Sequence, residues 1–277
     1  MKNSFGLQGG VQLGCRRNGD GVPYLSSQRF SPPVHLSKPY FDEETHSLLI
    51  NLSCPTAGLL AGDRMVCDIE VSDQASMVVT TPGATRSHFM RSGIARVEQR
   101  LAVRDGSFLE FNPGALILQK ATNLEQTTEV DVDEDAEILF VEKILPGRIA
   151  HGESFVFQKF SNRLRIKRDK QLALLESFVL EPDNESVMPW KHSFPTPYYG
   201  CFYALSPKLA DLLPCRERIH EMSSPKLLAG ASSIHRRAGW VVKVLAGDPY
   251  SYKRAMKEIR KLLHADMGRA PTDFRRY

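Results

Sequence analysis

Two short stretches gather the polar side chains that are best placed to do chemistry. Residues 80–86 combine small and hydroxylated side chains with Arg86, and Arg91 follows shortly after. Such a turn can pack against another segment and leave both arginines available to carboxylates. Residues 147–153 place Arg148, His151 and Glu153 between two glycines, so that a bent loop can present three polar groups together. Each stretch is also compatible with an ordinary connection between strands.

Common catalytic motifs are absent from the sequence. The glycines between residues 9 and 14 have the spacing of a phosphate loop, but Cys15 and Arg16 stand where Lys and Ser or Thr are needed to hold phosphate and magnesium. Nor is there a nucleophile elbow, a zinc-binding His-Glu-x-x-His helix or a dinucleotide glycine triplet. We therefore expect no nucleotide hydrolysis by the chain. Two alternatives stay open. One is a hydrolase or isomerase on a β scaffold that uses His151 and Glu153 as acid and base. The other is a general protein-interaction module.

These stretches must be positioned by a β-rich region in which one pattern occurs three times. Each copy has a valine, an acidic turn, a run of β-branched or aromatic residues and a closing Pro-Gly, and the copies occupy residues 71–83, 103–114 and 132–147. Their starts lie about 30 residues apart, a spacing typical of stacked supersecondary units that bury their apolar faces against each other. The pattern predicts a mainly β fold with stacked, solenoid-like sheet layers. Three unrelated hairpins are the alternative.

The rest of the chain is predicted to complete one domain, residues 1–277. Residues 1–33 are expected to be extended or loosely ordered, with the domain proper starting near Val34. About two helices are predicted toward the C-terminus. A short helix should begin at Ser206-Pro207 and be kinked or ended by Pro214. A strand should cover residues 232–246. A longer helix should begin at Asp248, with Tyr252, Met256, Ile259 and Leu263 at helical spacing on one face. Its opposite, basic face is either solvated or a docking surface for an acidic partner.

Composition excludes several classes of protein. The 277 residues contain 36 basic and 32 acidic side chains, so that no concentrated basic character favours nucleic acid. No apolar run approaches the roughly 18 residues that span a bilayer, and the N-terminus has no apolar signal core. Five cysteines without a Cys-x-x-Cys pair favour a reducing compartment and mostly buried thiols. We therefore expect a cytoplasmic protein that binds neither nucleic acid nor membrane.

The sequence resembles the urease accessory proteins called UreD, or UreH in some bacteria, from about residue 30 to residue 180. The agreement lies in four motifs in the same order and spacing: Gly58-Leu-Leu-Ala-Gly62-Asp63, residues 80–86 with Arg91-Ser92, Leu109-Glu110 with Pro113, and Gly147-Arg148-x-Ala150-x-Gly152-Glu153. The C-terminal segment from Pro271 to Arg275 departs from the closing Pro-Arg-Ile-Trp-like tail of that family and only echoes it. Together these motifs are specific, although no single one is.

The resemblance implies a non-enzymatic scaffold of stacked strand layers with two helices. Such a protein binds UreF, which binds the GTPase UreG, and the assembly delivers nickel to the urease apoprotein; a dimer within the accessory complex is compatible with this role. It implies no stably bound cofactor, only a nickel ion in transit through a passage lined by weak ligands. The candidate residues for this passage are Asp63, Glu110, Glu142, His151, Glu153 and Glu176.

Overall fold

Two β-sheets, of seven and eleven strands, make up most of the chain in the computed structural model. The structure describes residues 6–56, 58–183, 193–194, 197–209, 212–235 and 239–274. The predicted mainly β fold is confirmed. The loop that the sequence predicts over residues 181–189 lies mostly outside the described residues.

The seven-stranded sheet is mostly parallel. Its strands are β1 (Gln8–Arg17), β2 (Pro23–Ser31), β6 (Arg64–Val71), β9 (Ala95–Val103), β12 (Asn123–Val132), β14 (Lys159–Arg168) and β15 (Gln171–Leu180). Their spatial order is β15-β14-β12-β9-β6-β1-β2. The five central strands pair in parallel, and only β2 and β15, at the two edges, are antiparallel to their neighbours. The sheet therefore grows by stacking, with a hairpin at each end.

The eleven-stranded sheet lies opposite. It contains β3 (His35–Leu36), β4 (Tyr40–Asp42), β5 (Ser47–Ser53), β7 (Ser76–Thr80), β8 (Thr85–Ser87), β10 (Phe108–Asn112), β11 (Leu116–Leu118), β13 (Glu137–Leu145), β16 (Tyr198–Leu205), β17 (Leu227–Ser233) and β18 (Trp240–Ala246). The main path runs β17-β18-β16-β13-β10-β7-β5-β3, with β4, β8 and β11 as branches.

The predicted threefold repeat is confirmed as three stacked coils. Val71 and Val132 both pair in register with Val103 at the ends of β6, β12 and β9, and the strands after the turns, β7, β10 and β13, also stack in parallel. In each coil the turn carries the chain from one sheet to the other, so the units are not hairpins. Asp73 and Asp105 adopt φ values of 59° and 49°, a conformation that Asp tolerates better than most residues and that these tight turns require.

Apolar side chains fill two layers. One layer lies between the two sheets and includes Ile69, Met77 and Phe140. The other lies between the eleven-stranded sheet and two helices, α1 (Leu212–Glu221) and α2 (Pro249–Asp266), and includes Leu139 and Phe202. Alternate residues of β13 belong to different layers, because successive side chains of a strand point to opposite faces.

The predicted C-terminal helix is confirmed at α2. Asp248 is its N-cap and accepts hydrogen bonds from the backbone of Tyr250 and Ser251. The residues predicted at helical spacing, Tyr252, Met256, Ile259 and Leu263, are all buried against the sheet. None of the helices in the described part of the chain is long and apolar enough to cross a membrane.

The predicted start of the domain near Val34 is wrong. Residues 8–31 contain β1 and β2, and residues 8–15 of β1 pair with the whole of β6. Val11, Leu13 and Cys15 of β1 are buried between the sheets, so this strand is part of the core. The glycine spacing in β1 has a packing explanation, since a Cβ atom at Gly10 would lie 2.1 Å from the carbonyl oxygen of Val66.

Two C-terminal predictions also need correction. Residues 206–209 form a turn and not the first turn of a helix. In this turn the Ser206 hydroxyl accepts the backbone N–H of Lys208 at 3.1 Å and donates to Glu137 at 2.5 Å. Helix α1 begins at Leu212 and contains Pro214 in its first turn, where a missing backbone N–H costs little. The strand predicted over residues 232–246 is two strands, since β17 ends at Ser233 and β18 begins at Trp240.

Candidate functional site

A row of polar side chains crosses the space between the two sheets, where apolar residues are expected. Glu142 of β13 and Tyr203 of β16 point inward from the eleven-stranded sheet. Gln126 of β12 and Asn162 of β14 point inward from the seven-stranded sheet and meet them. The inward side chains of β12 and β13 meet because the two strands belong to the same coil and face each other.

Glu142 is the centre of this row. Its carboxylate is 4% exposed and accepts hydrogen bonds from Gln126 Nε2 at 3.0 Å, Asn162 Nδ2 at 3.2 Å and the Tyr203 hydroxyl at 3.2 Å. All three donors are neutral. No described residue forms an ion pair with Glu142, unlike Glu110 and Glu137, the other buried glutamates of the eleven-stranded sheet.

The environment of Glu142 disfavours its charge. Burial raises the pKa of this carboxyl to about 7, and the neighbouring charge of Glu176 adds to the rise, while the hydrogen bonds from Asn162, Tyr203 and Gln126 oppose it. Near neutral pH the group therefore exists in both protonation states. A buried carboxylate without a fixed cation can accept a positive charge that arrives from outside.

Glu176 extends the row toward the surface. It lies on β15, opposite Leu164 of β14, and shares the inward face of its strand. Its carboxylate forms an ion pair with Lys243 of β18, with 2.6 Å between Glu176 Oε1 and Lys243 Nζ. This pair connects β15 of one sheet with β18 of the other. Glu142 and Glu176 are the two of the six predicted passage residues that the structure brings together.

The opposite part of the interior contains a cavity of about 320 Å³. It opens between residues 53–56, 58 and 59 on one side and residues 81–86 on the other, and Phe111 and Gln99 lie in its lining. Gln99 accepts a hydrogen bond from the Thr128 hydroxyl at 2.8 Å. Thr128 and Gln126 are alternate residues of β12 and share one face. A chain of polar side chains thus leads from the cavity through Gln99 and Thr128 to Glu142.

Two other predicted passage residues have structural partners outside this row. Asp63 accepts the backbone N–H groups of Leu7 and Leu60, both at 2.8 Å, and so closes the glycine-bearing loop at residues 58–63. Glu110 points to the helix side of its sheet and forms an ion pair with Arg260 of α2 at 2.6 Å. Neither side chain faces Glu142, so the six residues do not line one passage.

The last two, His151 and Glu153, lie in the connection after β13. Both oxygens of the Glu153 carboxylate bind the Arg148 guanidinium, and this pairing holds the pKa of Glu153 below its usual range. A carboxylate in such an ion pair is a weak general base. His151 ends a 3-10 turn, Ile149–His151, and is exposed. The arrangement gives little support to the acid–base alternative.

The described residues contain no group of three or more His, Cys, Asp or Glu side chains arranged to hold a metal ion. The polar row offers one carboxylate with amide and hydroxyl neighbours, and Glu176 beside Lys243. Such oxygen ligands suit a divalent cation only weakly compared with a closed four-ligand site.

Sequence reasoning missed Gln126, Asn162 and Tyr203. Each is an inward position of a strand that carries mainly apolar side chains at that face, such as Leu124 and Val130 beside Gln126. A polar residue that interrupts an alternating apolar pattern was therefore an available signal. Their shared contact with Glu142 could not be predicted from the sequence, because it depends on which strands stack.

The fold and the interior place the chain in a structural class. The chain is a two-sheet protein of stacked parallel coils, with helices on one sheet and a polar row between the sheets. The sequence model described as UreD urease accessory protein matches residues 7–276, and the chain belongs to this family.

Individual relatives agree with the family match. The chain is 31% identical over 258 residues to a urease accessory protein UreD of Opitutus terrae, covering 92% of this chain and 94% of the relative. It is 27% identical over 257 residues to a UreD of Photorhabdus laumondii, covering 91% and 80%. A urease accessory protein UreH of Helicobacter hepaticus is 26% identical over 181 residues, covering 65% and 71%.

Proposed function

We propose that this protein is a non-enzymatic scaffold of urease maturation, through whose interior nickel passes to the urease apoprotein. The proposal assigns it UreF as a direct partner, the GTPase UreG as a partner through UreF, and a cytoplasmic location. Family membership supports the accessory role. The free cysteines fit the reducing compartment that the sequence predicts.

The observation that carries the nickel proposal is the buried, cation-free carboxylate of Glu142 in a polar row between two sheets. A buried polar row costs stability unless its members are satisfied, so a scaffold alone would be served better by an apolar core. A passing divalent cation would be stabilised by Glu142, by Glu176 and by the amide and hydroxyl oxygens nearby. The cation could leave again, because conduction requires binding that is favourable but weak.

The test is urease activation with the complete set of accessory proteins. Glu142→Gln and Glu176→Gln keep the side-chain volumes and remove the charges, and the double variant removes both. We expect the double variant to lower urease activity and urease nickel content several-fold while its complex with UreF still forms. Glu129→Gln is the matched control, because Glu129 is on β12 but exposed.

If urease activated with the double variant has an unchanged nickel content and the complex with UreF is intact, the protein is a scaffold without a nickel passage. Loss of the complex with UreF in the double variant would assign the polar row to folding instead. Steady GTP hydrolysis by the purified chain alone would contradict the scaffold proposal itself, since the sequence has no phosphate loop.

A further inference from the structure

The polar stretches at residues 80–86 and 147–153 meet at one pocket. Its volume is about 480 Å³, and it lies at the surface beside β8, β11 and the connection after β13. Six polar side chains line it, namely Arg86, His88, Gln119, Arg148, His151 and Tyr198. The nearest parts of these stretches are more than 50 positions apart in the sequence, so only the fold brings them together.

The backbone fixes the positions of these side chains. Arg86 lies on β8 opposite Ile117 of β11, in a parallel pair. The connection after β13 closes on itself at Gly147, where a Cβ atom would lie 2.5 Å from the carbonyl oxygen of Glu153. Gly152 ends the 3-10 turn at a φ of 74°, so that Arg148 and His151 both reach the pocket.

The charge in the pocket is of one sign. None of the described lining residues is an Asp or Glu. Arg148 is paired with Glu153, which lies outside the lining, whereas Arg86 makes no ion pair with any described residue. An exposed arginine beside a second arginine and two imidazoles attracts an anion, and the guanidinium fork matches the two oxygens of a carboxylate.

We propose that this pocket binds a carboxylate group carried by a partner polypeptide. Ile117, Leu145 and Ile149 form apolar walls beside the donors, so the occupant should combine an anionic group with an apolar body. A peptide C-terminus preceded by apolar residues has this chemistry, and capture of a C-terminal carboxylate is a known mode of peptide recognition. A free inorganic anion would leave the apolar walls unused.

This inference rests on the proposed function only in assuming that the protein binds a partner polypeptide. The direct test contains neither urease nor nickel, so that its failure leaves the nickel proposal standing. Conversely, an inactive passage would not affect carboxylate binding. The purified full chain is titrated with N-acetyl-leucyl-leucine as the free acid, with its C-terminal amide and with inorganic phosphate, and binding is followed by calorimetry.

We expect the free acid to bind at least tenfold more tightly than the amide, and more tightly than phosphate. Arg86→Gln should weaken binding of the acid about tenfold, since a charge-assisted pair is lost. Arg91→Gln is the control, because Arg91 is an exposed arginine close in sequence that does not line the pocket, and it should bind as the wild type does. Equal melting temperatures would show that both variants are folded.

Several outcomes would overturn the proposal. Equal affinity for acid and amide would mean that the charge is not recognised. Binding of phosphate in preference to the peptide acid would indicate a free oxyanion as occupant. Wild-type affinity in Arg86→Gln, or no binding of the acid at millimolar concentration, would also contradict it.

Discussion

Glu110 in the middle of β10 and Arg260 on α2 are 150 positions apart, yet their side chains form a bidentate ion pair. The guanidinium Nε and Nη2 atoms lie 2.6 and 2.8 Å from the two carboxylate oxygens. His264, one turn further along α2, lies 3.0 Å from the same carboxylate. Phe274 of the closing tail covers Arg260, with 4.1 Å between the guanidinium carbon and the ring centroid. The pair fastens the C-terminal helix to the central strands.

Glu110→Gln should destabilise the protein. The substitution leaves the Arg260 guanidinium, whose side chain is 15% exposed, without its counter-charge. Breaking a buried pair by removing one partner typically costs about 3 to 5 kcal/mol. Urea unfolding at pH 7 measures the free energy of unfolding. Glu258→Gln, which removes only an exposed pair with Lys261, should cost less than about 1 kcal/mol. Equal losses in the two variants would contradict the fastening role.

The same pair predicts a dependence of stability on acid pH. Burial alone would raise the pKa of Glu110, but Arg260 and His264 outweigh it and hold the pKa well below the ordinary value of 4.5. The folded carboxylate stays charged where the unfolded one takes up a proton. Stability from this group is therefore complete above the ordinary pKa and is lost as the pH falls below it.

We expect the wild type to lose more unfolding free energy than Glu110→Gln between pH 7 and pH 4. Urea titrations at both pH values check this difference. Glu137, whose pKa is also lowered by Ser206 and Arg269 against the effect of burial, contributes to the acid loss in both proteins. An identical acid loss in the wild type and the variant would show that Glu110 does not titrate abnormally.

Local patterns were sufficient to predict the coils and α2. The valine, the acidic turn and the Pro-Gly of each repeat act within about a dozen residues, so that spacing alone reveals them. Helix α2 has its N-cap, its first-turn proline and its apolar stripe within one segment. The start of the domain was missed because β1 is recognisable only by its pairing with β6, more than 50 residues away.

The candidate passage shows why site residues are harder to predict. Glu110 and Glu142 both follow a strand pattern, and the sequence gives no sign that they face opposite sides of the sheet. Glu110 is in register with Leu139, and Glu142 lies three positions beyond Leu139, an odd step that reverses the face. The parallel register, which forms only on stacking, therefore decides that Glu110 meets α2 and Glu142 meets the interior.

Glu142→Gln should raise stability at alkaline pH. The folded carboxyl has a pKa of about 7, above the ordinary value of 4.5, mainly because of burial. Between these values the folded state binds more protons than the unfolded state, so stability decreases as the pH rises through this window. At pH 8 the cost is at most about 3 kcal/mol.

The neutral amide of Glu142→Gln removes this cost, so the variant should unfold at higher urea concentration than the wild type at pH 8. The two proteins should be closest in stability near pH 5, where the wild-type carboxyl is protonated. Urea unfolding at the two pH values measures both. A variant less stable than the wild type at pH 8 would show that the charged form of Glu142 is well satisfied in the fold.

The last prediction concerns the apolar stripe of α2. Leu263 is fully buried between this helix and the eleven-stranded sheet, so Leu263→Ala should lower the free energy of unfolding by about 2 to 5 kcal/mol. Removal of the chain after Gly247 should cost more, because it also uncovers Leu139 and Phe202 and leaves Glu110 without Arg260. Leu228→Ala, on a side chain that is 48% exposed, is the control and should change stability by less than about 1 kcal/mol. Urea unfolding and capture by UreF are measured on the same preparations. Unchanged stability and capture after truncation would mean that α2 is an appendage that the core does not need.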